Sequence, residues 1–202
     1  MILIKNTILN FFYDYKLICN YIENSRGNDF NTMLQVMVLC AEDRGFLKHR
    51  GVSIKSIFRA LIKRHGGAST INMQLVRTLT NRRDITIARK IREIALSILI
   101  DIKFNKIDVL NSYLDNAYFG LRVHGVNEVV NNFFGKKDSY HISQYQCCVI
   151  ASMLKRPYSY NKEAEWVFKI NKRVYYVNSI YKANEGSLSK EIELLKLKYK
   201  KQ

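Results

Sequence analysis

One proline and nine glycines in 202 residues leave too little turn chemistry for a many-stranded sandwich or barrel, which needs a turn signal about every ten residues. Helical spacing fills the space between the few breakers. Residues 31–42 (NTMLQVMVLCAE) are apolar with a late acidic end, and Gly51 then breaks the chain. Residues 52–64 (VSIKSIFRALIKR) place Ile54, Ile57, Phe58, Leu61 and Ile62 at helical spacing. His65-Gly66-Gly67-Ala68 is the clearest interruption, and Ser69 or Thr70 is placed to cap a helix over 71–80. After the polar connector Asn81–Asp84, an amphipathic helix is predicted from Thr86 to about Phe104, with Ile91, Ile94, Ala95, Ile98, Leu99 and Ile102 as its apolar stripe. Further helices are predicted over 106–120, 126–134, 142–154, 166–181 and 187–199. The fold class is all-α. Without repeat, low-complexity block or linker, residues 31–202 read as one domain behind an N-terminal segment, residues 1–30.

A hydrophobic fraction of 48% with 12% aromatics supports a folded core and excludes disorder as the default. The 33 Lys+Arg against 17 Asp+Glu give a formal net charge of +16, which implies an anionic partner: nucleic acid, lipid headgroups or a phosphorylated substrate. Charge does not choose among them. Cys19, Cys40, Cys147 and Cys148 form no C-x-x-C pair and no zinc or disulfide spacing, and adjacent Cys147 and Cys148, in an apolar stretch, read as small core residues. The N-terminal MILIKNTILNFFYDYKLICNYIEN is interrupted by Lys5, Asp14 and Lys16. It falls short of the roughly 18 uninterrupted apolar residues of a membrane span, and it lacks the compact apolar region and cleavage site of a signal peptide.

Three polar clusters fall at element boundaries. Glu42-Asp43-Arg44-Gly45-Phe46-Leu47-Lys48-His49-Arg50-Gly51 gathers two carboxylates, an arginine and a histidine behind an apolar helix. Taken alone it reads more readily as a charged helix end with local ion pairs. Gly66-Gly67-Ala68-Ser69-Thr70-Ile71-Asn72-Met73-Gln74-Leu75-Val76-Arg77 offers glycines, hydroxyls and a helix N-terminus to an oxyanion. It lacks the lysine of a Walker loop, and a capped flexible loop is the bland alternative. In Arg89-Lys90-Ile91-Arg92-Glu93, helical spacing brings both Arg89 (i, i+4) and Lys90 (i, i+3) to Glu93. That face can grip a diphosphate or be a solvated salt-bridge ladder.

In this order the clusters resemble the signatures of the peptidoglycan glycosyltransferases, the domain that polymerises lipid II. Glu42 to Gly51 resembles E-D-R-x-F-x-x-H-x-G, Gly67 to Arg77 resembles G-G-S-T-I-T-Q-Q-L-V-K, and Arg89 to Glu93 matches R-K-x-x-E. Tyr113 to Gly120 resembles Y-L-N-x-x-Y-F-G, and Gly125 with Phe133-Phe134-Gly135-Lys136 resembles G-x-x-x-A-A-x-x-Y-F-G-K. Five ordered segments cover roughly residues 30 to 180.

The resemblance implies a helical, lysozyme-like lobe with a smaller jaw lobe in the membrane. It implies inverting transfer from a lipid-diphosphate-linked glycan to a sugar hydroxyl. Glu42 is then the general base, and Glu93 is the second catalytic glutamate, orienting Lys90 or a divalent cation. Arg77, Arg89 and Lys90 are implied to bind the diphosphate, with Ser69, Thr70 and Gln74 as supporting donors; Arg44, Phe46 and His49 complete the first motif. The chemistry agrees. A sugar hydroxyl needs a positioned proton acceptor, whereas a diphosphate leaving group needs charge neutralisation more than protonation. Mg or Mn at the diphosphate is the one cofactor admitted. The implied partners are lipid II, the growing glycan and an anionic membrane surface, with no nucleic acid; the implied location is the outer face of the bacterial cytoplasmic membrane.

The chain departs from the family pattern at Ala68, Asn72-Met73, Arg77, Val129-Val130 and Gln146-Cys147-Cys148. These departures admit another lipid-linked saccharide as substrate, or a homologue that binds the glycan without polymerising it. The chain ends soon after Asn171-Lys172-Arg173, where the family's glycosyltransferase domain closes, so a monofunctional enzyme is expected. Two rivals remain: a glycan-cleaving relative, which would need a second carboxyl as acid, and a basic helical nucleic-acid binder, which would not require Glu42.

Overall fold

A computed structural model of the chain describes residues 2–54, 58, 69–136 and 139–199. Among these residues the fold is all-α, with a two-strand ribbon as its one sheet: α1 (Ile2–Asn24), α2 (Thr32–Glu42), α3 (Ile71–Thr80), α4 (Ile87–Lys103), α5 (Lys106–Asn116), β1 (Tyr118–Gly120), β2 (Val123–His124), α6 (Val126–Phe134), α7 (Gln144–Met153) and α8 (Glu163–Tyr199). Most of the segment predicted as a helix over 52–64 lies outside the described residues, as do Gly66, Gly67 and Ala68.

The chain divides into two compact units, Met1–Gly27 with Gly45–Tyr113, and Asn28–Arg44 with Leu114–Gln202. In the first, α1 packs on α3 and α4, burying Ile18 and Ile22 from α1, Ile71, Met73 and Leu75 from α3, and Leu96 and Ile100 from α4. Asp14 on α1, nearly buried, pairs with Arg82 at 2.8 Å and Arg92 at 2.6 Å. Thr70 is the N-cap of α3, as the sequence led us to expect of Ser69 or Thr70, and its hydroxyl oxygen accepts from the Met73 N–H at 3.3 Å.

The second unit is built around α2, which is buried from Leu34 through Cys40 and apolar over that run except at Gln35, as suits a central helix. Asn31 caps its start by accepting from Met33 N–H at 2.9 Å. Helices α7 and α8 pack on α2 and on each other. Burial raises the thiols of Cys40 and Cys148 to about 11 and that of Cys147 to about 12. They are neutral core residues, as expected of Cys147 and Cys148.

Four expectations are revised. The N-terminal segment forms α1, for which no helix was expected. The helix predicted over 106–120 stops at Asn116, because Tyr118–Gly120 pairs with Val123–His124 in a ribbon. Gly120, at φ +106°, lies so close to the Tyr158 backbone that a Cβ would overlap it. The two helices predicted over 166–181 and 187–199 are one: α8 runs 37 residues through Gly186. A helical glycine costs only about 1 kcal/mol, and buried Leu188 and Ile192 beyond it hold the helix on course. In α4 the buried face is Glu93, Leu96, Ser97 and Ile100, while Ile91 and Ile102 of the predicted apolar stripe are exposed. The inward face is set instead by the ion-paired Glu93 and by Gly51, whose backbone lies against the Ser97 carbonyl with no room for a Cβ.

Candidate active site

Glu42 is the last residue of α2, and its side chain is only 8% exposed. Arg173 on α8 donates through Nη2 to Glu42 Oε1 at 2.9 Å and to the Ala41 carbonyl at 3.3 Å. The guanidinium thus satisfies one of the unpaired carbonyls at the end of α2 and offsets the partial negative charge there, where a carboxylate is otherwise disfavoured. Asp43 closes the helix, its N–H reaching Leu39 O at 2.9 Å. Arg44 is exposed.

The rest of this motif belongs to the first unit and is largely structural. Phe46 is fully buried, with Lys106 Nζ 4.7 Å from its ring centre and the half-buried His49 ring edge-on at 6.2 Å. Lys106 Nζ also donates to the His49 carbonyl at 2.6 Å and pairs with Asp101 at 2.5 Å. Gly51, at φ +77°, ends the motif against α4. Phe46 is therefore a core residue that shapes the loop, not a surface offered to substrate.

Also in the first unit, Glu93 is 3% exposed and meets three cations: Arg77 at 3.0 Å, Arg89 at 2.5 Å and Lys90 at 2.9 Å. The expected pairing of Arg89 and Lys90 with Glu93 is present, and Arg77 joins it from α3. Ser69 Oγ accepts from Arg77 at 3.2 Å and from Lys90 at 3.3 Å. Among the described residues, three cations meet this one carboxylate and leave two positive charges in excess, an arrangement that can hold an anion. The buried Nε–H groups of Arg77 and Arg89 make no hydrogen bond among the described residues; such groups ordinarily find water or ligand. Burial, with repulsion from Arg77 and Arg89, holds Lys90 below the ordinary lysine value against the opposing pull of Glu93.

The supporting donors separate. Ser69 joins the cluster. Thr70 is buried and donates its hydroxyl proton to Gly51 O at 2.6 Å, so it joins α3 to the end of the first motif. Gln74 Oε1 accepts from Tyr113 at 2.9 Å. A protein-held Mg or Mn does not fit here: Glu93 is the one carboxylate of the cluster and is already enclosed by three cations, and a hard cation needs several oxygen ligands.

Sequence reading missed Arg173 and the Lys106–Asp101 pair. Arg173 lies 131 residues from Glu42, and its signal was no more than one cation among many on α8. The departures at Asn72, Met73, Val129, Val130, Cys147 and Cys148 are all buried. They alter packing and leave the charged cluster intact.

The family model described as Transglycosylase matches residues 20–181. The chain is 38% identical over 135 residues to penicillin-binding protein 2a of Streptococcus pneumoniae, covering 66% of this chain and 18% of that protein. It is 30% identical over 159 residues to penicillin-binding protein 1A of Rickettsia bellii, covering 74% and 20%. For penicillin-binding protein 1B of Haemophilus influenzae the figures are 34% over 134 residues, 61% and 17%. The chain belongs to the transglycosylase family, and it spans no more than a fifth of the length of these relatives.

Proposed function

We propose that this chain is a peptidoglycan glycosyltransferase that polymerises lipid II, inverting the anomeric carbon. Glu42 accepts the proton of the acceptor hydroxyl as the new glycosidic bond forms. The bond from the anomeric carbon to the diphosphate breaks, and the lipid diphosphate leaves with the bonding electrons. The leaving group is a weak base, so its departure calls for positive charge and not for a second carboxylic acid.

The observation that carries this reading is the set of Arg77, Arg89 and Lys90 on the buried Glu93. A glycosidase has little use for it, and a nucleic-acid binder would not bury its countercharge. Within this reading Glu93 positions the three cations, and Ser69 helps orient Arg77 and Lys90. The core location of the departures at 72–73 and 129–130 favours lipid II over another lipid-linked saccharide.

No helix among the described residues is long and apolar enough to cross a membrane. Within this reading the described residues offer the outer face of the cytoplasmic membrane a peripheral contact, beside any anchor not evident in this chain. Exposed Leu9, Phe12 and Tyr13 on α1, and Ile85, Ile87 and Ile91 at the start of α4, supply apolar contact. The net charge of +16 adds attraction to anionic lipid.

The test is incubation of the purified protein with lipid II in detergent, resolving products by gel. A ladder of glycan chains supports the reading. Turnover confined to another lipid-linked saccharide, or salt-sensitive DNA retention without turnover, overturns it.

A further inference from the structure

In the second unit, a groove of roughly 440 Å³ lies between α7 and α8, lined by Gln144, Tyr145, Cys148, Val174, Tyr175 and Asn178. Its volume is within the range of about 300–1,000 Å³ usual for small-molecule sites. Its lining is unusual for this chain: a quarter of all residues are charged, and none of these six is. Tyr145 and Tyr175 are 61% and 82% exposed, so their rings gain little from packing in the free protein.

The polar groups are ordered. Gln144 Nε2 donates to Asn178 Oδ1 at 3.0 Å, and Cys148 Sγ approaches the same oxygen at 3.9 Å. This arrangement fixes both amides and leaves Gln144 Oε1 as an acceptor and Asn178 Nδ2 as a donor. Two rigid, amphipathic rings beside a fixed donor and acceptor suit a neutral ligand that has apolar faces and hydrogen-bonding edges. A pyranose ring has that character, with C–H groups on its faces and hydroxyl or acetamido groups at its rim. An anion would find no countercharge in the groove, and a purely apolar partner would strand the amides.

The groove also shares its supports with the proposed base. Val174 directly follows Arg173, the partner of Glu42. Cys148 Sγ lies 3.6 Å from Met37 Sδ on α2, five residues, or about 7.5 Å of helix, before Glu42.

We infer that this groove binds the uncharged saccharide backbone of the glycan strand, through residues distinct from the base and the cationic cluster. The inference rests on the glycosyltransferase reading, and it deepens that reading by giving the strand a seat on α7 and α8. The probe is chitotetraose, a soluble N-acetylglucosamine oligomer with neither lipid nor diphosphate, titrated calorimetrically into the intact chain. The expected result is saturable binding that weakens at least fivefold in Tyr145→Ala and in Tyr175→Ala. Tyr160→Ala, at an equally exposed ring outside the groove, should bind as wild type. Asn178→Leu, checked for helicity by circular dichroism, should weaken binding while preserving side-chain volume. No binding by the folded wild type overturns the inference, as does equal weakening by Tyr160→Ala or none by the groove variants. Lipid II polymerisation by the same wild-type preparation is scored separately. A ladder of chains without oligosaccharide binding removes the groove and leaves the reaction, whereas its absence removes the reaction.

Discussion

The Arg173 guanidinium holds the Glu42 carboxylate at 2.9 Å and the adjacent Ala41 carbonyl at 3.3 Å, so one side chain on α8 fixes both the proposed base and the backbone that presents it. A general base works only within hydrogen-bond reach of its proton, and a glutamate at a helix end would otherwise sample several rotamers. Arg173→Ala should lower kcat about 10²-fold with a smaller effect on KM, as expected for lost positioning. Arg173→Lys, which keeps the charge without the guanidinium's reach to both the Glu42 carboxylate and the Ala41 carbonyl, should recover part of it. Equal loss of kcat in both variants would show that charge alone does not account for the role, and a wild-type rate in Arg173→Ala would remove Arg173 from the account.

Glu93 is enclosed by Arg77, Arg89 and Lys90. Removing its charge leaves three neighbouring cations without a counterion, and breaking a buried ion-pair network from one side costs about 3–5 kcal/mol. Glu93→Gln should therefore melt roughly 10 °C below wild type, at about 3 °C per kcal/mol for a chain of this size. Adding pyrophosphate should restore part of that difference, because an anion replaces the missing charge. Differential scanning calorimetry with and without pyrophosphate checks both parts.

Lys90 is held below the ordinary lysine value of 10.5, chiefly by burial. In the window between its lowered folded value and 10.5, the unfolded chain binds more protons than the folded one. Stability from this group therefore rises with pH through that window and is lost as pH falls through the folded value. Donor binding runs the other way, since neutral Lys90 no longer attracts the diphosphate. The KM for lipid II should climb as pH approaches 10.5, and Lys90→Gln should have a high KM without that climb. KM measured from pH 7 to 10.5 for both proteins decides it.

Two glycines separate backbone strain from crowding. Gly51, at φ +77°, would place a Cβ on the Ser97 carbonyl, whereas Gly135, at φ +62°, has nothing within 4 Å of its Cβ position. Gly135→Ala should cost about 1 kcal/mol, for the left-handed conformation alone. Gly51→Ala adds an overlap with rigid backbone and should cost more than about 3 kcal/mol. Urea unfolding of the two variants gives the comparison.

What was legible in the sequence was local. The capping of α3 by Thr70, the i, i+3 and i, i+4 pairs onto Glu93, and the burial of the cysteines all follow from spacing or residue type over a few positions. What was not legible depends on partners far along the chain. Arg173 meets Glu42 across 131 residues, and no periodicity marks it. The outward stripe of α4 misleads for a related reason: isoleucines at helical spacing imply a core face, yet Gly51 and the ion-paired Glu93 occupy the inward side. Residues 182–186 fall between two predicted helices, but the side chains of Asn184 and Ser187 bond back to the carbonyls of Ile180 and Asn184 and α8 continues.

The most direct measurement is single-turnover transfer from labelled lipid II by the wild type and by Glu42→Gln, both checked for native helicity by circular dichroism at the assay temperature. The account predicts glycan chains from the wild type and a rate about 10²–10⁴-fold lower in the variant, with donor binding retained. Equal rates in the two proteins would contradict the assignment of Glu42 as the base.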